Sequence, residues 1–183
     1  MVFCFKYILV CITLCLVFIA CQSDNTPKKT KFFDKVKATE QFIKANQQVI
    51  TKEMDEMDYY QKSHEMNFVK TTSGIRYFVY KASAKGDSIK DGDIININYT
   101  VSLLDGTECY SSKADGAKEF KVGMENLEDG LHKAVQYLKN GDKALILIPS
   151  HFAHGLLGDS KKIPPQSPIV YDIEILSCKK TAH

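Results

Sequence analysis

No block of basic residues breaks the charge balance of this sequence. Its 24 Lys and Arg residues stand against 22 Asp and Glu, for a formal net charge of +2. The electrostatic footprint of nucleic-acid binding is therefore missing. No apolar run is long enough to cross a bilayer comfortably: the longest, residues 7–20, has 14 positions where about 20 are needed. Cysteine is scarce beyond residue 21, with only Cys109 and Cys178 remaining. Sequence does not say whether these two pair, and two unpaired, partly buried thiols are the expectation. His151 and His154 have the spacing of a metal-binding pair but lack a third ligand, so no metal is expected. No catalytic triad, cofactor motif or internal repeat stands out. What is present is a chain of 183 residues with 44% hydrophobic and 10% aromatic content, enough for one domain with a real core and a helical extension.

Residues 1–20 read as a secretory signal. Lys6 is their only charge, and the apolar stretch that follows is interrupted only by Thr13. It ends in Val17-Phe18-Ile19-Ala20-Cys21 and turns abruptly polar at Gln22-Ser23-Asp24-Asn25. A small residue followed by Cys resembles the lipobox of bacterial lipoproteins, although Phe18 stands where Leu is commonest. The resemblance implies acylation of Cys21, and with it a location in the bacterial cell envelope, on the periplasmic side of the outer membrane. Two or more acyl chains anchor stably, because each buried methylene contributes about 0.8 kcal/mol. Residues 21–31, Lys-rich and containing Pro27, read as the tether.

Residues 32–64 form the core of a helical extension expected over 32–66. No Gly or Pro interrupts them, and Val36, Ile43, Ile50 and Met57 recur every seven positions beside Phe42 and Val49. The stripe could pack on its own domain, pair with a second copy, or bind an envelope partner; packing on its own chain is the default. From residue 67 the pattern becomes short strands with turns. An aromatic strand is expected over 75–82. Ile95, Ile97, Tyr99, Val101 and Leu103 then alternate with polar residues, which puts Tyr99 on an inner face. Asp105-Gly106 marks a hairpin. Strands are expected near 107–111 and 119–122, then a short amphipathic helix over 127–138 stopped by Asn140-Gly141. Strands over 143–148 and 169–176 follow, with a loop between them. The fold class is therefore α+β: an antiparallel sheet wrapped on one short helix, preceded by an amphipathic helix.

Three ordered motifs carry a family resemblance. The first is Tyr99-Thr100-Val101-Ser102-Leu103-Leu104-Asp105-Gly106-Thr107 with Ser111-Ser112. The second is Ile148-Pro149-Ser150-His151-Phe152-Ala153-His154-Gly155. The third is Ile163-Pro164-Pro165 followed by Ile169-Val170-Tyr171-Asp172-Ile173-Glu174-Ile175-Leu176. Together, over about residues 86–178 of a domain spanning 67–183, they resemble the FKBP-type peptidyl-prolyl cis/trans isomerases. The order of signal, Cys21, charged helix and domain, with Gly155-Leu156-Leu157-Gly158-Asp159, is similar to the gliding-motility-associated FKBP-type lipoproteins.

The resemblance implies a non-covalent isomerase acting on proline-containing polypeptides, with no cofactor. It places Tyr99, Phe120, Leu127, Leu131, Ile163 and Tyr171 around the pocket, with Glu128 where a backbone N–H receives a substrate carbonyl. Four positions depart from the usual pattern. Cys109 replaces a Phe of the pocket wall, Tyr110 replaces an Asp, His154 replaces a Tyr donor, and Leu131 replaces a Trp floor. The changes at Cys109 and Tyr110 would widen and repolarise one wall. They leave open a second expectation, a chaperone or binding module of an envelope or gliding-motility complex with little catalysis.

Overall fold

The computed structural model describes residues 29–181. Helix α1 runs Lys29–Ser63; strands β1 (Val69–Lys70), β2 (Arg76–Lys81) and β3 (Ile94–Leu103) follow. Next come β4 (Glu108–Ser111), the one-turn helix α2 (Ser112–Asp115), β5 (Lys118–Lys121) and helix α3 (Asp129–Val135). The chain ends with β6 (Lys143–Ile148), a 3-10 turn at Ser150–Phe152, and β7 (Ile169–Lys179). The signal segment, Cys21 and the tether up to residue 28 lie outside the described residues.

The chain separates into two compact units, residues up to Ile43 and residues from Lys44 on. In the first, the described part is helix, with Val36, Phe42 and Ile43 exposed. The second contains the rest of α1 and the sheet. Its seven strands run β1-β2-β6-β7-β3-β4, all neighbours antiparallel, and β5 pairs with the first half of β3 while β4 pairs with the second. The two short strands thus share one edge of β3, with α2 as the corner between them.

Because side chains alternate across a strand, the sheet has two apolar faces, and each is covered by one helix. On one, Ile95, Ile97, Ile146, Ile148, Ile173 and Ile175 pack under Leu131, Ala134, Val135 and Leu138. The fit of α3 is close enough to require glycine at its start: a Cβ on Gly130 would lie 2.3 Å from Ile148 Cγ2 and 2.8 Å from the Phe152 carbonyl oxygen. On the opposite face Phe78, Leu145, Leu147 and Val170 pack with Met54, Met57 and Tyr60 of α1 and with Phe68. Met57 is wholly buried. Arg76, also wholly buried, reaches back to α1, where its guanidinium lies 2.6 Å from the Asp58 carboxylate and donates to the Met54 carbonyl.

Helix α3 is shorter than its apolar pattern predicts. The N–H groups of Leu131 and His132 both reach the Glu128 carbonyl, which fixes Asp129 as the first helical residue. Tyr137 and Leu138 close tighter i→i−3 turns on Ala134 and Val135. Leu138 is buried all the same, so the amphipathic pattern records burial over a longer span than regular helix.

Candidate active site

A cleft of about 320 Å³ opens where β3, β4 and β7 meet the loops at either end of the α3–β6 unit. Tyr99 and Val101 of β3 and Tyr171 of β7 form its sheet side, as strand alternation demands of inward positions. Glu128, at the entrance to α3, and His154, from the segment after β6, face each other across it. Tyr110 and Asp159 close another wall, with Lys118 and Lys161 at the rim.

Most polar groups here are already paired. His154 Nε2 lies 3.1 Å from Glu128 Oε1, with the two side chains only 24% and 14% exposed. Burial, and then the Glu128 carboxylate beside it, pushes the Tyr171 phenol well above its ordinary range, so it remains a hydrogen-bond donor facing that carboxylate. The Tyr99 phenol is likewise raised, by burial and then by its partner Asp115 at the end of α2. The Tyr110 hydroxyl donates to Asp159, and that bond, followed by burial, pushes its pKa up to about 12. Burial alone would raise Asp159. The Tyr110 hydroxyl and the backbone N–H groups of Lys161, Lys162 and Ile163 outweigh it and hold the carboxyl well below its ordinary range. Two groups are left over. Glu128 Oε2 is buried without a partner, and among the described residues the Glu128 backbone N–H has no protein acceptor, as expected of a residue that precedes a helix.

Of the residues named from sequence, Tyr99, Tyr110, Glu128, His154 and Tyr171 come together in this cleft. Phe120, Leu131 and Ile163 lie behind it as buried core, and Leu127 is half-buried against that core. Phe120 packs edge-on to His132 at 5.5 Å between ring centres. Cys109 is also turned into the core at 1% exposure, its thiol 3.7 Å from the carbonyls of Thr107 and Lys162. It and Cys178 are both free thiols. Asp115, Lys118, Asp159 and Lys161 were not foreseen. For Asp159 a signal existed: an Asp opening the polar run Asp159-Ser160-Lys161-Lys162 is well placed to accept the next backbone N–H groups.

The model of the family described as FKBP-type peptidyl-prolyl cis-trans isomerase matches residues 85–176, half of the chain. The chain belongs to that family. It is similar to the FKBP-type peptidyl-prolyl cis-trans isomerase FkpA of Escherichia coli K12, at 33% identity over 123 residues, covering 67% of this chain and 44% of that protein. The macrophage infectivity potentiator of Trypanosoma cruzi is 32% identical over 122 residues, 65% of this chain and 60% of its own length. The chain thus spans less than half the length of FkpA in that match. The crystal structure of Escherichia coli FkpA superposes with a TM-score of 0.62 at 26% identity, covering 97% of this chain and 83% of that one.

The chemistry of an FKBP-type isomerase needs no nucleophile. The barrier to turning a peptide bond, about 18–20 kcal/mol, comes from amide resonance. A site lowers it by favouring the twisted amide, through a water-excluding wall beside the prolyl ring and fixed donors to the flanking carbonyls. The cleft offers aromatic walls in Tyr99 and Tyr171, and an available backbone donor at Glu128.

Proposed function

We propose that this protein catalyses cis/trans isomerisation of Xaa-Pro bonds in exported polypeptides, in the cleft bounded by Tyr99, Tyr171, Glu128 and His154. The observation that carries this reading is the Glu128 N–H, without an acceptor among the described residues, beside two inward tyrosines. The proline ring lies against Tyr99 and Tyr171, and the Glu128 N–H takes a substrate carbonyl. His154 holds Glu128 in place: its Nε2 meets the Glu128 carboxylate at 3.1 Å, and a neutral imidazole, which donates through one nitrogen, directs that donor at the carboxylate. Phe120, Leu127, Leu131, Ile163 and Cys109 act from behind, as the packing that fixes the cleft walls. The test is the rate of cis-to-trans conversion of a short Xaa-Pro peptide with and without the protein.

A second reading is favoured by one feature. Tyr110, which stands at a family Asp position, gives its hydroxyl to Asp159 and so has no proton to offer a substrate. On that reading the domain binds proline-containing chains and turns them over slowly, as a chaperone or an element of an envelope or gliding-motility complex. The same peptide assay separates the two.

We infer further that Cys21 carries the lipid, placing the domain on the periplasmic face of the outer membrane, with residues 22–28 as tether, because helix α1 already begins at Lys29 rather than at the expected residue 32. The abrupt polarity change at Ala20-Cys21-Gln22 supports this. No helix among the described residues is long and apolar enough to cross a membrane. Exposed Val36, Phe42 and Ile43 leave an apolar stripe for a second copy or an envelope partner. Replacement of Cys21 by Ser is expected to move the protein from the membrane pellet to the soluble envelope fraction; retention in the pellet would exclude the lipid as its anchor.

A further inference from the structure

The segment that carries His154 into the cleft has little regular structure of its own. It leaves β6 through Pro149, makes the single turn Ser150–Phe152, and passes Ala153, His154 and Gly155 before the chain moves away. What fixes it comes from a distant element. Glu53, on α1 and 97 residues away in sequence, is 2% exposed. Its Oε2 accepts the Ser150 N–H at 2.9 Å and its Oε1 accepts the Ser150 hydroxyl at 2.5 Å. Ser150 is itself buried, and its carbonyl accepts the N–H groups of Ala153 at 2.9 Å and Gly155 at 2.7 Å. Those two residues flank His154, whose ring meets Glu128 at 3.1 Å. Hydrogen bonds therefore run from α1 to both neighbours of the cleft histidine.

The apolar docking of α1, through Met54, Met57 and Tyr60, does not require an acid at residue 53. Burying a carboxylate is costly unless its oxygens are bonded. Both of these are bonded, and to one residue of one loop. Hydrogen bonds to an ionised acceptor are short and strong, which suits them to hold a segment that lacks its own ladder.

We propose that Glu53 is a positioning residue for the cleft: by clamping Ser150 it sets where His154 sits, so that α1 helps to build the isomerase site. The proposal rests on the isomerase reading above for its effect on rate, but the placement of His154 can be read separately.

The experiment uses the full chain with four variants: Glu53→Ala, Ser150→Ala, Glu53→Gln and, as an exposed control on the same helix, Glu56→Gln. Each is measured for kcat/KM on an Xaa-Pro peptide and for the imidazole proton resonances of His154, assigned by their loss in His154→Gln. Glu53→Ala and Ser150→Ala are expected to shift the His154 resonances and lower kcat/KM by about 10- to 100-fold, the scale of a small misplacement in a site. Glu53→Gln should recover most of both, because its carboxamide can accept from the Ser150 N–H and donate to the hydroxyl. Glu56→Gln should match the unaltered protein. If Glu53→Ala fails to fold, Ser150→Ala and Glu53→Gln carry the same test. Unmoved His154 resonances in a folded Ser150→Ala or Glu53→Ala protein overturn the proposal, and so does a Glu53→Gln protein no better than Glu53→Ala. Should the unaltered protein show no isomerisation, the isomerase reading falls, and the resonances still decide whether Glu53 places His154.

Discussion

At the scale of single residues, the cleft shows how one carboxylate is satisfied by the groups around it. Asp159 takes the Tyr110 hydroxyl and three backbone N–H groups, those of Lys161, Lys162 and Ile163. The pairing has a pH signature. Asp159 is depressed, so the stability it lends is present above its unfolded pKa of about 4 and is lost as pH falls through its lower folded value. Tyr110 is raised from 10.0 to about 12, so its share is present below pH 10 and is lost only as pH rises through 12. Asp159→Asn should therefore cost about 1.5–3 kcal/mol near neutral pH. That difference should stay flat from about pH 5 to 9 and narrow in acid, as followed by urea denaturation at several pH values. A difference that grows in acid would contradict the pairing. Sequence alone could not supply this contact, because residues 110 and 159 meet only through tertiary folding. Tyr99 and Tyr171 were legible because strand alternation fixes which way they point. The same alternation cannot separate Phe120, which is core, from a cleft wall, since both point inward.

At the scale of elements, strand β6 matches its sequence expectation residue for residue, and β7 extends beyond its expected end to Lys179. Continuous apolar or alternating patterns bounded by turns leave little freedom in reading such strands. Helix α1 was legible as a helix from its unbroken heptad stripe, but the stripe did not say how much of it is used. Met57 is buried, while Ile50 and Ile43, one and two heptads earlier, are exposed. The difference lies in what faces each turn: Leu147, Val170 and Phe68 cover Met57, and periodicity carries no such information. Met57→Ala is accordingly expected to destabilise by about 2–5 kcal/mol, and Ile43→Ala by no more than about 0.5 kcal/mol. Chemical denaturation of the two variants checks this, and equal effects would mean that the exposed turns are covered in solution.

At the scale of the whole molecule, the central reading joins an FKBP-type domain to a helix that belongs partly to its fold. Residues from Lys44 group with the sheet, and Glu53 and Met57 sit within it. Removing the entire helix is thus not a neutral way to isolate the catalytic unit. Removing only residues up to 43 leaves the contacts of Glu53, Met54, Met57 and Asp58 with the sheet unit intact. The most direct measurement is the cis-to-trans rate of a chromogenic Xaa-Pro peptide with the chain from residue 22 onward, compared with the same protein bearing Tyr171→Ala. The account predicts acceleration proportional to enzyme at micromolar concentration and a loss of at least about tenfold in the variant, the scale of one cleft wall removed. No acceleration by the folded, unaltered protein would contradict it and leave the slow-turnover binding module as the function.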